Sequence, residues 1–382
     1  MATQAERPIF VIGCPRSGTT LLQLMLHSHP RIAIPAETRF LLPAYASRRG
    51  FGDLRVPGNR RALAEWIVGR KESKFHDLGL DPLQVVEEIV AGPPTLGSAL
   101  GIVFRAYARK FGKPRWGDKR PSYFKHVDVL RRMWPDAQFV HLVRDGRDCV
   151  ASLKEMPWYN GDTYHAICAW REAIDYGHRY ARRLGPDTYY ELQYERLVAD
   201  PATELAGLCG FLGEEFDPRM TEPQEIARLT VPPKKKWHSR TQSAVTSGRI
   251  GSWVHRLEPW EIALAEAALG SRLREYGYEL SGEGRPTMTQ LARLARVAAH
   301  RRTTQRKRNL RDHLVRRCEP GPVISRLDSL SGDDPPRSPR PNALSVGGDA
   351  PRPPRPALGA SAGRPSAGAP VHPPEGPGLR GW

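Results

Sequence analysis

The chain has 382 residues, 40% of them hydrophobic and 26% charged, with a formal net charge of +17. That is enough chain for a sizeable core, and no run approaches the roughly 18 consecutive apolar residues of a membrane-spanning helix. Five scattered cysteines (Cys14, Cys149, Cys168, Cys209, Cys318) show neither CxxC spacing nor a compact disulfide framework. Free thiols in a reducing compartment are expected. The opening MATQAERPIFVIG has no apolar signal-peptide region. The two signals together predict a cytoplasmic protein.

Pro8–Gly13 (PIFVIG) is a continuous apolar run ending in Gly, the pattern of a strand buried on both faces. CPRSGTT follows, then a helical stretch up to Pro30. Residues 31–35 read as a short strand and 37–46 as a short helix. Residues 60–112 are mostly helical, broken near Gly79 and Gly92–Pro94. A loop around WGDKRP precedes a helix over 123–134. QFVHLV (138–143) is a second buried strand, followed by RDGRD and a helix over 149–154. Further helices are predicted at 164–184, 201–212 and 259–276, with a strand at 189–193. Strands alternating with helices predict an α/β protein, a P-loop-like parallel sheet with helices on both faces. Residues 1–282 form that domain.

Residues 283–318 read as a basic, partly helical arm. Residues 283–382 hold 18 Lys and Arg against 8 Asp and Glu, +10 of the total charge. From Glu319 onward the chain is dense in Pro, Gly, Ser and Arg, a composition that predicts a disordered tail. The arm is of a kind that contacts anionic surfaces. It lacks interleaved aromatics, which argues against stacking on nucleic-acid bases. The remaining domain is mildly basic, which suits an anionic ligand.

Gly13-Cys14-Pro15-Arg16-Ser17-Gly18-Thr19-Thr20 lies between strand and helix. Backbone N–H groups and the positive end of the helix can cradle a phosphate there. Gly18 allows close approach, Ser17, Thr19 and Thr20 add hydroxyls, and Arg16 adds a planar cation. The nucleotide-binding pattern GxxxxGK[ST] would need Lys where Thr19 stands. A P-loop kinase or NTPase is therefore the alternative reading, and a disfavoured one.

PRSGTT after a buried strand resembles the phosphosulfate loop of sulfotransferases that use 3'-phosphoadenosine 5'-phosphosulfate (PAPS). Three later segments resemble the same family in the same order. VHLVRDGRDCVAS places Arg144 and Ser152 as the 3'-phosphate pair. ELQYERLVADPATELAGLCGFLG places Tyr194 against the adenine. Ser247-Gly248-Arg249-Ile250-Gly251-Ser252-Trp253 is similar to the late loop that closes over the 3'-phosphate, with Ser252 where family members often carry Asp or Arg. The resemblance covers about residues 8–278. It implies PAPS as co-substrate held by Arg16, Ser17, Gly18, Thr19, Thr20, Arg144, Ser152, Tyr194, Ser247, Gly248 and Arg249, with no metal.

Sulfuryl transfer needs a base, charge stabilisation on the leaving oxygen, and an in-line arrangement. HSHPRIAIPAETRF is similar to the tyrosylprotein and related carbohydrate sulfotransferases, whose E-T-R glutamate is the base. This makes Glu37 the candidate base. The other reading of Glu37 is a first-turn acid stabilising its own helix. Lys119, in WGDKRP, and Arg16 are the candidates on the leaving side. His126 and His141 are fallback bases, His141 within a strand. The acceptor is a hydroxyl compound (carbohydrate, lipid, peptide or small molecule), its pocket formed largely by residues 45–118.

Overall fold

The computed structural model describes residues 7–230, 248–282 and 284–327. Five strands form one parallel sheet: β1 (Ile9–Gly13), β2 (Ile32–Ala33), β3 (Arg115–Lys119), β4 (Gln138–Val143) and β5 (Tyr189–Gln193). Their spatial order is β2-β3-β1-β4-β5. The chain leaves β1 towards one edge and later returns to β4 on its other side. In such sheets ligands bind outside the carboxyl ends of the strands, where the order reverses.

Alternating β1 residues serve two cores. Phe10 and Ile12 face one layer, where Phe10 packs among Trp116, Trp134 and Phe139. Ile9 and Val11 face the other with Leu22, Met25, Val140 and Leu205. The second layer holds α1 (Thr19–Ser28), with α9 (Tyr194–Ala199) and α10 (Pro201–Leu212) from later in the chain. The first holds α2 (Leu41–Ala46), α3 (Pro57–Gly69), α4 (Pro82–Ala91), α5 (Leu96–Lys110), α6 (Val127–Met133), α7 (Gly146–Lys154), α8 (Thr163–Leu184) and α12 (Pro259–Glu275). The short α11 (Gln224–Thr230) lies beside α1.

β3 lies where the sequence reads a loop, because Arg115, Asp118 and Lys119 interrupt any apolar run. All three are buried. Their polarity is answered from far along the chain: Arg115 Nη1 donates to Leu212 O (2.7 Å) and pairs with Glu214 (3.2 Å). The predicted helix over 37–46 begins only at Leu41.

The basic arm is a helix, α13 (Met288–Arg316), packed against α8. Composition places the start of the tail at Glu319, yet residues 319–327 pack on the domain. Val323 and Leu327 are buried, and Ser325 N donates to Met133 O at 2.7 Å. The rest of the predicted disordered tail, 328–382, lies outside the described residues.

Candidate active site

The turn after β1 is held tightly. Ser17 N donates to Cys14 O at 3.1 Å. Arg16 has φ 74°, a left-handed conformation that costs a non-glycine residue on the order of 1 kcal/mol or more. Gly18, with φ 98°, is the N-cap of α1. A Cβ on Gly18 would lie 2.5 Å from Cδ2 of Tyr194, so the ring packs directly on the loop. Ser17 Oγ is fully buried and has no hydrogen-bond partner among the described residues. A buried hydroxyl facing an orphaned helix N-terminus is a cradle made for an anion.

Arg16 ties this loop to the next strand end. Its Nε donates to Ser152 Oγ (3.0 Å), and its carbonyl accepts from Arg144 Nη1 (3.3 Å). Burial, and then the nearby Arg144, lower the Arg16 guanidinium pKa. Arg144 lies over the Tyr194 ring at 4.5 Å, and its Nε is buried without a partner among the described residues. The structure thus gathers Arg16, Ser17, Gly18, Arg144, Ser152 and Tyr194 from β1, β4 and β5.

The late loop joins them through a residue the sequence reading passed over. Asp148 Oδ1 accepts from Trp253 N (2.9 Å) and Ser252 Oγ (3.0 Å), and Oδ2 from Gly251 N (3.0 Å). The signal was available: Asp148 stands one helical turn after Arg144, and the two pair at 3.4 Å. Arg249 contributes its carbonyl, which accepts from Arg144 Nη2 at 2.6 Å. Gly248 is exposed. Ser252, the position that departs from the resemblance, bonds Asp148 and accepts from Arg256 Nη1 (2.9 Å). Ser247 lies outside the described residues.

Glu37 lies in the loop before α2, beyond the carboxyl end of β2, and not in a helical first turn. Its carboxylate faces Arg39 (3.7 Å), Lys119 (3.8 Å) and Arg120 (3.9 Å). These are ion-pair distances too long for hydrogen bonds. Lys119, the last residue of β3, is also 3.3 Å from Thr20 Oγ1. One ammonium therefore spans from the phosphate loop to the candidate base.

Beneath it, buried Asp118 accepts from Tyr123 OH (2.6 Å), Thr38 Oγ1 (3.0 Å) and Lys119 N (2.9 Å). Burial pushes its carboxyl up to about 6 against the pull of these three bonds. Asp118 thus fixes the neighbours of both Glu37 and Lys119. The sequence signal was its adjacency to Lys119, obscured by reading β3 as a loop.

The two fallback histidines differ in place: His141 is buried in β4, and His126 is the N-cap of α6. His141 Nδ1 lies 2.6 Å from Tyr189 OH inside the sheet. Burial drives His126 down to about 3.

The carboxyl ends of the five parallel strands lie at one edge of the sheet, with Arg16, Ser17 and Arg144 beyond β1 and β4 and the Glu37 carboxylate beyond β2. The family model for sulfotransferases matches residues 8–218 of the 382. The chain belongs to the sulfotransferase family, enzymes that draw on PAPS as co-substrate. It is 26% identical over 282 residues to the protein-tyrosine sulfotransferase of Drosophila melanogaster, covering 71% of this chain and 51% of that protein. The chain thus spans about half the length of that relative. It is 25% identical to human protein-tyrosine sulfotransferase 1, covering 71% and 69%. The sulfotransferase domain of the Synechococcus PCC 7002 olefin synthase shares the fold, with TM-score 0.51 and 23% identity over 73% of this chain and 98% of that domain.

The similarity to animal protein-tyrosine sulfotransferases overturns the cytoplasmic expectation. Cysteine spacing and the first residues of the chain do not fix a compartment. Among the described residues no helix is long and apolar enough to cross a membrane.

Proposed function

We propose that this protein transfers a sulfuryl group from PAPS to a hydroxyl acceptor by in-line displacement. PAPS, when bound, supplies the activated sulfuryl group. Arg16, Ser17, Gly18, Thr19 and Thr20 hold its 5' side, Arg144, Ser152 and the loop around Arg249 its 3'-phosphate, and Tyr194 its adenine. Glu37 takes the proton from the acceptor hydroxyl. The acceptor oxygen bonds to sulfur as the bond from sulfur to the phosphate oxygen breaks, and that oxygen keeps the electron pair. Lys119 and Arg16 stabilise the charge that develops on it.

Carrying this reading is the bridge made by Lys119, with its ammonium 3.3 Å from Thr20 and 3.8 Å from Glu37. A base and a leaving-group cation that close allow one proton loss and one charge gain in a single crevice. Among the described residues, no hydrogen bond from a protein donor occupies the Glu37 carboxylate, which leaves it open to an acceptor hydroxyl. Thr19, where a nucleotide kinase has Lys, speaks against NTP chemistry.

The test is transfer of radiolabel from PAPS to pooled hydroxyl acceptors in EDTA. Wild type should label an acceptor, and Lys119→Ala should lose roughly 10²–10³-fold in rate. Turnover of ATP with no transfer from PAPS would overturn the proposal.

A further inference from the structure

Helix α13 is fixed along its length. Leu294 and Ala298 are buried, Arg301 forks onto Glu172 (2.8 Å to each oxygen), and Asp312 pairs with Arg48 (3.0 Å). Just beyond it, Glu319 accepts from Arg48 (2.7 Å) and Arg132 (2.9 and 2.7 Å). So held, the C-terminal half of α13 faces α2, α6 and α8 across an open cleft of about 2290 Å³.

The lining of this cleft carries 14 Arg and Lys and three carboxylates, Glu72, Asp128 and Asp312. Three more carboxylates lie against lining cations: Glu37, Glu172 and Glu319. Six carboxylates against 14 cations still leave a surplus of eight. Arg131 Nε is buried there with no partner among the described residues. An open cleft of this size with such a surplus of cations calls for an extended, repeatedly anionic occupant. Two of its cations, Arg39 and Arg120, are the neighbours of Glu37 at 3.7 and 3.9 Å, so the cleft reaches to within one side chain of the candidate base.

Three observations choose among polyanions. Every lining residue sits on a helix or loop, so no sheet edge offers a backbone ladder to a peptide. Thirteen of the 14 cations are arginines, whose planar forks match carboxylate and sulfate groups. Half-buried rings of Trp66 and Tyr176 lie among them and offer flat apolar faces, with Arg70 stacked on Trp66 at 5.0 Å and Arg179 on Tyr176 at 4.7 Å.

We propose that this cleft is the acceptor groove, that it takes an acidic polysaccharide, and that α13 is its specificity-determining wall. The proposal rests on the sulfotransferase reading above. It also moves the acceptor pocket: residues 45–118 supply only part of one wall, shared with α6 and α8, and α13, outside the family match at 8–218, supplies the other.

Calorimetry on the full chain tests it, with hyaluronan oligosaccharides as probe and neutral dextran oligosaccharides, an acidic tyrosine peptide and single-stranded DNA as comparisons. Hyaluronan should bind in preference to all three and weaken as salt screens the arginines. Arg311→Glu on α13 with Arg317→Glu at its C-cap, and Arg179→Glu on the facing wall, should each weaken it by about tenfold or more, the scale of a lost charge-assisted bond. Affinity for adenosine 3',5'-bisphosphate and the melting temperature should not move. Absent hyaluronan binding, equal binding by the variants, or tighter binding of the peptide or DNA would overturn the proposal. A wild type that binds hyaluronan but not the bisphosphate would sink the sulfotransferase reading and leave the groove standing.

Discussion

The two sides of the crevice are built differently. On the proposed nucleotide side, Arg16, Ser17, Gly18, Arg144 and Ser152 follow the ends of β1 and β4, fixed by backbone and by one another. Strained φ at Arg16 and a buried Ser17 hydroxyl with no partner among the described residues suit the anionic ligand proposed for it. On the proposed acceptor side, long arginines project from helices far apart in the chain, and among the described residues Glu37 is surrounded by cations at ion-pair distance without a hydrogen bond. A common co-substrate permits rigid, local recognition. An acceptor that varies between family members calls for side chains on replaceable elements.

The sharpest way to break this division is at Glu37. Glu37→Gln keeps the side chain's shape but cannot take a proton. Single-turnover transfer should fall roughly 10²–10⁴-fold. Affinity for adenosine 3',5'-bisphosphate should hold, because the nucleotide contacts lie elsewhere. A well-folded variant with near wild-type turnover would remove Glu37 from the chemistry.

Asp118 lies between the two sides and should show itself in stability. Its carboxyl is raised from 3.8 to about 6, so the fold favours its protonated form. That contribution is complete below pH 3.8 and fades as pH rises through about 6, by up to about 3 kcal/mol. Denaturant titrations of wild type and Asp118→Asn across this window should show the flatter profile in the variant. Parallel profiles would mean that Asp118 titrates normally.

A smaller effect is expected at Arg144. Arg144→Ala should lose most of the preference for adenosine 3',5'-bisphosphate over AMP, about 1.5–3 kcal/mol. Calorimetry with both nucleotides reads it. An unchanged preference would make Arg144 a structural support for Tyr194 and the Arg249 carbonyl.

The same contrast explains what could be read from the sequence. The phosphate loop was legible because an apolar strand, glycine, hydroxyls and Arg16 are contiguous. Arg144, Ser152 and Tyr194 were legible only through the resemblance of the contiguous segments that carry them to family motifs, and the structure brings them beside the loop. β3 was not, since Arg115, Asp118 and Lys119 look solvated until Leu212, Glu214, Thr38 and Tyr123 are brought to them. Nor was the docking of residues 319–327, whose Pro and Gly hide contacts with Arg48, Arg132 and Met133. The cleft was invisible because its arginines are spread from Arg39 to Arg317. Local chemistry is written locally, whereas long-range burial of charge is not.

The central claim is that five strand ends form a PAPS site. Calorimetry of the wild-type chain in EDTA tests it most directly, with adenosine 3',5'-bisphosphate, AMP and ATP as ligands. The account predicts that the bisphosphate binds at least about tenfold tighter than AMP, the scale of one charged contact to a 3'-phosphate, and that ATP binds weakly. Binding of ATP in preference to the bisphosphate would contradict it.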